Sequence, residues 1–288
     1  MKWHLSNRSF LLLIPALLFL LMVTYSLILA FVESVRGPNG WTLDFYVSLF
    51  QERRLYSSFI YSLSITFFSV ILSVLIGWGI VRSCHAMIEN SIGKWMIWIP
   101  MLFPHFVWGY FVLLVLGQSG VLSSALFQSG WIESRDQFPI FVQDKRGLGI
   151  IITYLWKEIP FVILMLLPVY VQLPKQYGEV IGVLGGGKRH IFGTIEWPWV
   201  KPVLVEILLI LTAFIFTAYE VPALLGVTYP QMASVLAYDW FYGSSLEERS
   251  YAFALLFIIA AIMTLASLIS FMLLNRQRWL LSKSQHSR

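Results

Sequence analysis

The chain has 288 residues, of which 58% are hydrophobic, 16% aromatic and only 12% charged, with a formal net charge of +5. A water-soluble domain carries roughly 25% charged residues, and the mean hydropathy here is +0.75, so a water-soluble globular fold is excluded. The single cysteine, Cys84, excludes an intramolecular disulfide and offers no metal site; it reads as a small packing residue near a helix end.

Crossing a bilayer as a helix takes about 20 apolar residues. Six segments reach that length: Phe10–Val32, Ser58–Val81, Trp95–Gly117, Gly149–Leu173, Val203–Gly226 and Tyr251–Leu274. Their apolar runs do not alternate as barrel strands do, so the expected fold class is all-α, a polytopic membrane protein with six transmembrane helices. The first segment follows Lys2 and Arg8 but far exceeds the 7–15 apolar residues of a signal peptide. With no small-x-small cleavage site after it, it is expected to stay as an anchor.

The third segment carries His105 between Pro104 and Phe106, expected to be a packing residue rather than a proton relay. A long connection, Gln118–Leu148, follows, with Trp131, Pro139 and mixed charge. The fourth segment contains adjacent charges, Lys157 and Glu158.

Next comes a basic, glycine-rich stretch, Gln172–Pro202. Pro174 suits a first helical turn, and Tyr177, Val180, Ile181 and Leu184 are spaced for one helical face. Gly185-Gly186-Gly187 is expected to end that helix. Ile191, Phe192, Ile195 and Trp199 form a second face, interrupted at Pro198. Such a helix–turn–helix off the membrane is a surface built for docking.

Within it, Gly182 to Lys188 satisfies the first seven positions of the phosphate-binding G-x-x-x-x-G-K-[ST] pattern. Arg189 replaces the hydroxyl residue that would hold Mg²⁺, and no strand precedes the loop, so nucleotide binding by this chain is not expected. The fifth segment holds Glu220 before Pro222. An acid in an apolar span normally faces a cavity, a partner or a pore. It is expected either to pair with Lys157 or cap backbone freed by Pro222, the favoured reading, or to attract a cationic cargo. Val227–Ser250, with Asp239, Trp240, Glu247, Glu248 and Arg249, is a second long connection. Long connections of this kind are often functional; both are expected to meet a soluble partner. The tail, Arg276–Arg288, is expected to fray.

Lysine and arginine set the expected orientation. With the N-terminus inside, cytoplasmic loops and tails hold 12 cations and external loops 7, with Lys157 inside a span. Both termini, and the Gln172–Pro202 loop, are therefore expected in the cytoplasm. The positive charge reflects topology and gives no sign of nucleic-acid binding.

The order Glu179-x-x-x-x-x-Gly185, then Ile195-x-Trp197-Pro198, resembles the E-A-A-x-x-x-G…I-x-L-P loop of permease subunits in binding-protein-dependent type I ABC importers. Val180 and Ile181 stand where that family has alanines, and Trp197 where it has leucine. Trp156-Lys157-Glu158-Ile159-Pro160-Phe161 is similar to the family's W-K-x-x-P-F segment, and Ser58–Arg82 to its first core helix. Ala218–Gly226 with Tyr229-Pro230-Gln231-Met232 is similar to the spermidine/putrescine-type branch.

The resemblance implies the type I importer permease fold. An N-terminal helix and external loop would occupy 1–57, the permease core 58–274 with its coupling loop at 172–202, and a cytoplasmic tail 275–288. It implies a bacterial inner-membrane protein forming half of a translocation pore. Two ATPase subunits, a second permease (a sister chain rather than a copy) and an extracytoplasmic binding protein would be its partners. ATP would be bound by the partner, so no cofactor, metal or catalytic residue is implied here. Glu179, Gly185, Lys188, Ile195 and Pro198 would couple to the ATPase, and Glu220, Lys157 and Glu158 would line a pore or gate. Polyamine is the implied cargo; organophosphonate, thiamine or ferric ion would fit the same fold. An ion-coupled secondary transporter using Lys157, Glu158 and Glu220 is the alternative, against which stands the lack of a paired broken-helix repeat. No nucleophile or metal cluster near a membrane face favours an enzyme.

Overall fold

In a computed structural model, residues 7–37, 40–88, 90–173, 175–243 and 245–286 are described. Thirteen helices are named in chain order: α1 (Asn7–Val35), α2 (Asp44–Leu49), α3 (Arg53–Ile88), α4 (Ser91–Leu102), α5 (His105–Leu116), α6 (Val121–Gln128), α7 (Leu148–Gln172), α8 (Lys175–Val183), α9 (Lys188–Ile191), α10 (Trp197–Thr217), α11 (Glu220–Leu225), α12 (Ala233–Phe241) and α13 (Leu246–His286). A π-helical turn, Phe192–Glu196, joins α9 to α10, and a two-residue antiparallel pairing, Arg36–Gly37 with Gly40–Trp41, follows α1. Among the described residues, six helical stretches are long and apolar enough to cross a membrane: Leu13–Val35, Arg53–Ile88, His105–Gln128, Leu148–Gln172, Lys188–Thr217 and Glu248–Met272. The chain is a multi-pass helical membrane protein, as its composition predicts.

The chain forms two compact units. In the first, Met1–Leu55 with Leu236–Ala260, Phe45 packs edge-on against Tyr251, Phe31 against Phe257, and the Ser34 hydroxyl lies 2.7 Å from that of Tyr46. Elsewhere α1 offers itself to its surroundings, exposed from Leu13 to Leu29.

The second unit, Tyr56–Val235 with Ala261–Arg288, is organised around α7, which packs on α4, α5, α10 and α11. Its core includes Ile150, Tyr154, Val162, Leu166, Ile207 and Ile215. Small residues let α3 approach closely: Ser58, Ser62, Thr66, Ser69 and Ser73 recur along one buried face. A Cβ on Gly77 would meet Val162 at 2.8 Å and the Ile159 carbonyl at 3.1 Å. Helices in lipid associate through just such small-residue seams, since apolar burial gives little preference between lipid and protein.

Four boundaries differ from the sequence expectation. Trp95–Gly117 is not one span but two helices, because Pro104 disfavours helical φ/ψ at the residue before it, and Phe103 is extended (φ −96°, ψ 141°). The fifth span does not begin at Val203: helical backbone runs from Lys188 to Thr217, and Pro198 sits in the first turn of α10 without stopping it. The π turn just upstream changes the bonding pattern where the proline lacks an N–H. The same span ends at Thr217, not Gly226. The Arg276–Arg288 tail is helical in its described part, where α13 continues to His286.

The long connections also hold structure of their own. Gln118–Leu148 contains α6, and its end is set by Asp144, whose carboxylate accepts the backbone N–H of Arg146 (2.9 Å) and Leu148 (2.8 Å). Gly147 enters α7 at φ +69°, and a Cβ there would strike the Ile65 Cδ1 at 2.2 Å. Val227–Ser250 contains α12.

Candidate functional site

The 172–202 loop is a helical hairpin with two unlike arms. The first arm, α8, is a short amphipathic helix beginning at Lys175; Pro174 lies outside the described residues. Tyr177, Val180, Val183 and Leu184 are exposed, the last two at 88% and 80%, while Ile181 is half-buried. Glu179 is exposed on this helix. An apolar strip so uncovered on a nine-residue helix is the mark of a contact the chain does not itself supply.

The arm ends in a Schellman turn. Gly186 N–H donates to the Ile181 carbonyl (2.8 Å) and Gly185 N–H to that of Gly182 (3.0 Å), with Gly185 at φ +78°. Glycine is needed here because a Cβ is disfavoured in the left-handed region. The same bonds dispose of the phosphate-loop resemblance: two N–H groups of the glycine run are already taken, and a helix, not a strand, leads into it.

The second arm, α9 and the π turn, carries Lys188, exposed, and Ile195, half-buried, and passes into exposed Pro198 at the start of α10. Unlike α8 it is fastened to the spans. Arg82 Nε of α3 lies 2.8 Å from Glu196 Oε1. The Tyr170 hydroxyl of α7 donates to the same oxygen at 2.5 Å, and Trp78 Nε1 of α3 donates to the Tyr170 oxygen at 2.6 Å. The Trp78 ring lies 6.2 Å from both Phe192 and Trp197, and the Arg82 guanidinium sits 4.9 Å over the Phe192 ring. Glu196, with its side chain only 12% exposed, thus meets two donors of opposite helices at one oxygen. A cavity of about 340 Å³ opens beside this cluster between Arg82, His85, Tyr170, Gly178, Ile191 and Ile195.

None of these clasp residues is a sequence-predicted site. Glu196 occupies the variable position of Ile195-x-Trp197-Pro198. The available signal was an acid, unusual among apolar and aromatic neighbours, at a span boundary with Trp78 and Arg82 one helical turn apart on α3. Glu206, half-buried in the middle of α10, was also missed. It lines a groove of about 580 Å³ with Leu209, Met263, Thr264 and Ser267.

Two of the predicted pore residues, Lys157 and Glu158, fall into a separate cluster at the α4–α5 break. Lys157 is 5% exposed and donates to the carbonyls of Pro100 (3.1 Å), Met101 (3.0 Å) and Phe103 (2.6 Å). It thereby caps α4, whose last carbonyls have no helical partners. Buried Glu158 lies 2.9 Å from His105 Nε2, so the histidine is a partner of the acid and not merely packing. Phe214 lies 4.6 Å from the His105 ring. The expected Lys157–Glu220 pairing is not formed: the ammonium is engaged by carbonyls, and Glu220 is exposed at the start of α11 after the chain leaves α10. Glu220 is therefore not within a continuous span. The backbone carbonyl that Pro222 leaves without a helical donor, that of Ala218, accepts instead from the Ser234 hydroxyl (2.6 Å).

Residues 88–279 match the profile of the family described as "Binding-protein-dependent transport system inner membrane component". Among solved structures, the chain is similar to a bacterial ABC transporter involved in the import of the acidic polysaccharide alginate. The TM-score is 0.70 at 17% identity, covering 94% of this chain and 96% of that one. It is similar also to a bacterial alginate ABC transporter in complex with an alginate pentasaccharide-bound periplasmic protein, with TM-score 0.66 at 19% identity, covering 92% and 93%. At these identities the likeness establishes the fold. No curated protein sequence matches the chain.

Proposed function

From the premise that the chain belongs to the family of binding-protein-dependent transport system inner membrane components, we propose that it is the permease subunit of an ATP-driven importer, contributing half of the translocation path. A family of transport components is not a family of enzymes; the hydrolysis that drives movement belongs to a partner chain. The observation that carries this reading is the end of α8, where Val183 and the following Leu184 are almost fully exposed and a glycine turn fixes how far the helix extends. Such a helix fits a groove in a separate ATPase, with Glu179 and Lys188 as charged contacts at its rim. Two ATPase subunits, a sister permease and an external binding protein complete the assembly. With this hairpin on the ATPase side, both termini lie in the cytoplasm.

For the cargo, the resemblance of Ala218–Gly226 and Tyr229–Met232 to polyamine-type permeases is the available pointer. Exposed Glu220, not neutralised by Lys157, supports a cation-attracting vestibule. Organophosphonate, thiamine and ferric ion remain alternatives on the same fold. The alginate importers carry an acidic polysaccharide; their likeness to this chain lies in the fold.

Co-purification tests the reading. The tagged permease, expressed with its transport operon, should recover an ATPase chain, and Leu184→Asp should lose it while the permease still folds. A stable permease assembly that never retains an ATPase would overturn the reading.

A further inference from the structure

We propose that Glu196 is the positioning residue that hands movement of the docking hairpin to the spans. This inference rests on the importer reading above. Among the described residues the α8 arm makes no hydrogen bond or ion pair to a span: its apolar strip is exposed, and its turn bonds within the hairpin. Force reaching the hairpin must pass through the second arm. There the carboxylate of Glu196 joins three elements at once, the π turn, α3 through Arg82 and α7 through Tyr170.

The chemistry suits a linkage rather than simple packing. Both bonds converge on Oε1, one from a guanidinium and one from a hydroxyl. Hydrogen bonds to a charged carboxylate are about twice as strong as neutral ones, and this one is largely out of water. Trp78 orients the Tyr170 hydroxyl by donating to its oxygen, which leaves that hydroxyl's proton for Glu196. The aromatic contacts of Trp78 with Phe192 and Trp197 hold the turn at its two ends. A π turn is rare and frequently sits at a functional site. Here it is the part of the arm bound to the neighbouring helices. Displacement of the hairpin is therefore delivered to α3 and α7 together, and α7 is the helix on which α4, α5, α10 and α11 pack.

The test uses the complete transporter, with ATPase and binding protein, in liposomes, read as cargo taken up per ATP hydrolysed. Glu196→Gln keeps the shape but removes the charge. Uptake per ATP should fall about ten-fold or more, the effect of losing one charge-assisted bond. ATPase recovery and basal hydrolysis should stay at the wild-type level. Arg82→Glu alone should do the same, and the exchange of Arg82→Glu with Glu196→Arg should restore part of the uptake. Normal uptake per ATP in Glu196→Gln would overturn the proposal. So would loss of the permease itself in both single variants without rescue by the exchange, since that marks a folding role. If the importer reading failed instead, wild-type protein would show no ATPase partner at all, a result separate from either.

Discussion

The α8 arm and the cluster at the α4–α5 break treat their side chains in opposite ways. On α8, large apolar residues are uncovered and Glu179 is left exposed, although apolar surface in water is costly. At the break, Lys157 and Glu158 are buried where a charge is most expensive, yet Lys157 meets three carbonyls and Glu158 meets His105. A site left unsatisfied by its own chain is addressed to another molecule. A site whose charges are met by its own chain supports the fold. Charge inside a span therefore does not by itself mark a path for cargo, and an uncharged strip outside one can mark the working surface.

Replacing Lys157 with methionine is the harshest way to sharpen this contrast. The side chain keeps most of its apolar stem, but the carbonyls of Pro100, Met101 and Phe103 lose their common donor, and Glu158 loses an adjacent cation. Removing one partner from a buried polar group costs about 1–3 kcal/mol, and several groups are stranded here, so a loss of about 3 kcal/mol or more is expected. Thermal unfolding of the purified permease should show it as a clear drop in midpoint. An unchanged midpoint would mean that the carbonyls find water, and that the break is a wet, mobile element.

Double substitution of Val183 and Leu184 by serine should do the reverse, leaving the midpoint unchanged and weakening ATPase binding. Burying each side chain in a partner contributes about 1.5–3 kcal/mol, so affinity should fall at least ten-fold in a titration of ATPase against permease nanodiscs. A lowered midpoint with normal affinity would reverse the roles assigned to the two regions. Gly185→Ala comes next. At φ +78° a Cβ costs about 1 kcal/mol, which predicts about a five-fold loss of the same affinity, with no steric clash because nothing lies within 4 Å of the added carbon.

The contrast also explains what could be read from the sequence. The α8 helix and its end were legible because periodic apolar residues and three glycines are local signals, and six long apolar runs gave the membrane class. The α4–α5 break carried its cue, Phe103-Pro104, but the surrounding hydropathy continues through it and suggests one span. Pro198 misled in the other direction, as a stop signal that a π turn absorbs. The clasp was hidden because its bonds join residues far apart in the chain: Tyr170 and Glu196 are 26 positions apart, and Trp78 and Tyr170 are 92. Pairings of that kind follow from how helices pack and leave no periodic trace.

The smallest expected effect belongs to Glu220, which was placed with Lys157 and Glu158 by its chemistry and is set apart from them by its surroundings. It is exposed at the first turn of a short helix, so its charge is largely screened by water and any attraction it exerts on a cation is worth about 1 kcal/mol or less. Glu220→Gln should leave both thermal midpoint and ATPase affinity at wild-type values. If a cationic cargo passes this carboxylate, half-saturating cargo concentration for uptake should rise up to about five-fold, with a larger change at low salt than at high. A change independent of salt would point to a shape effect at α11. A drop in midpoint would place Glu220 with the buried cluster, among the residues that serve the fold.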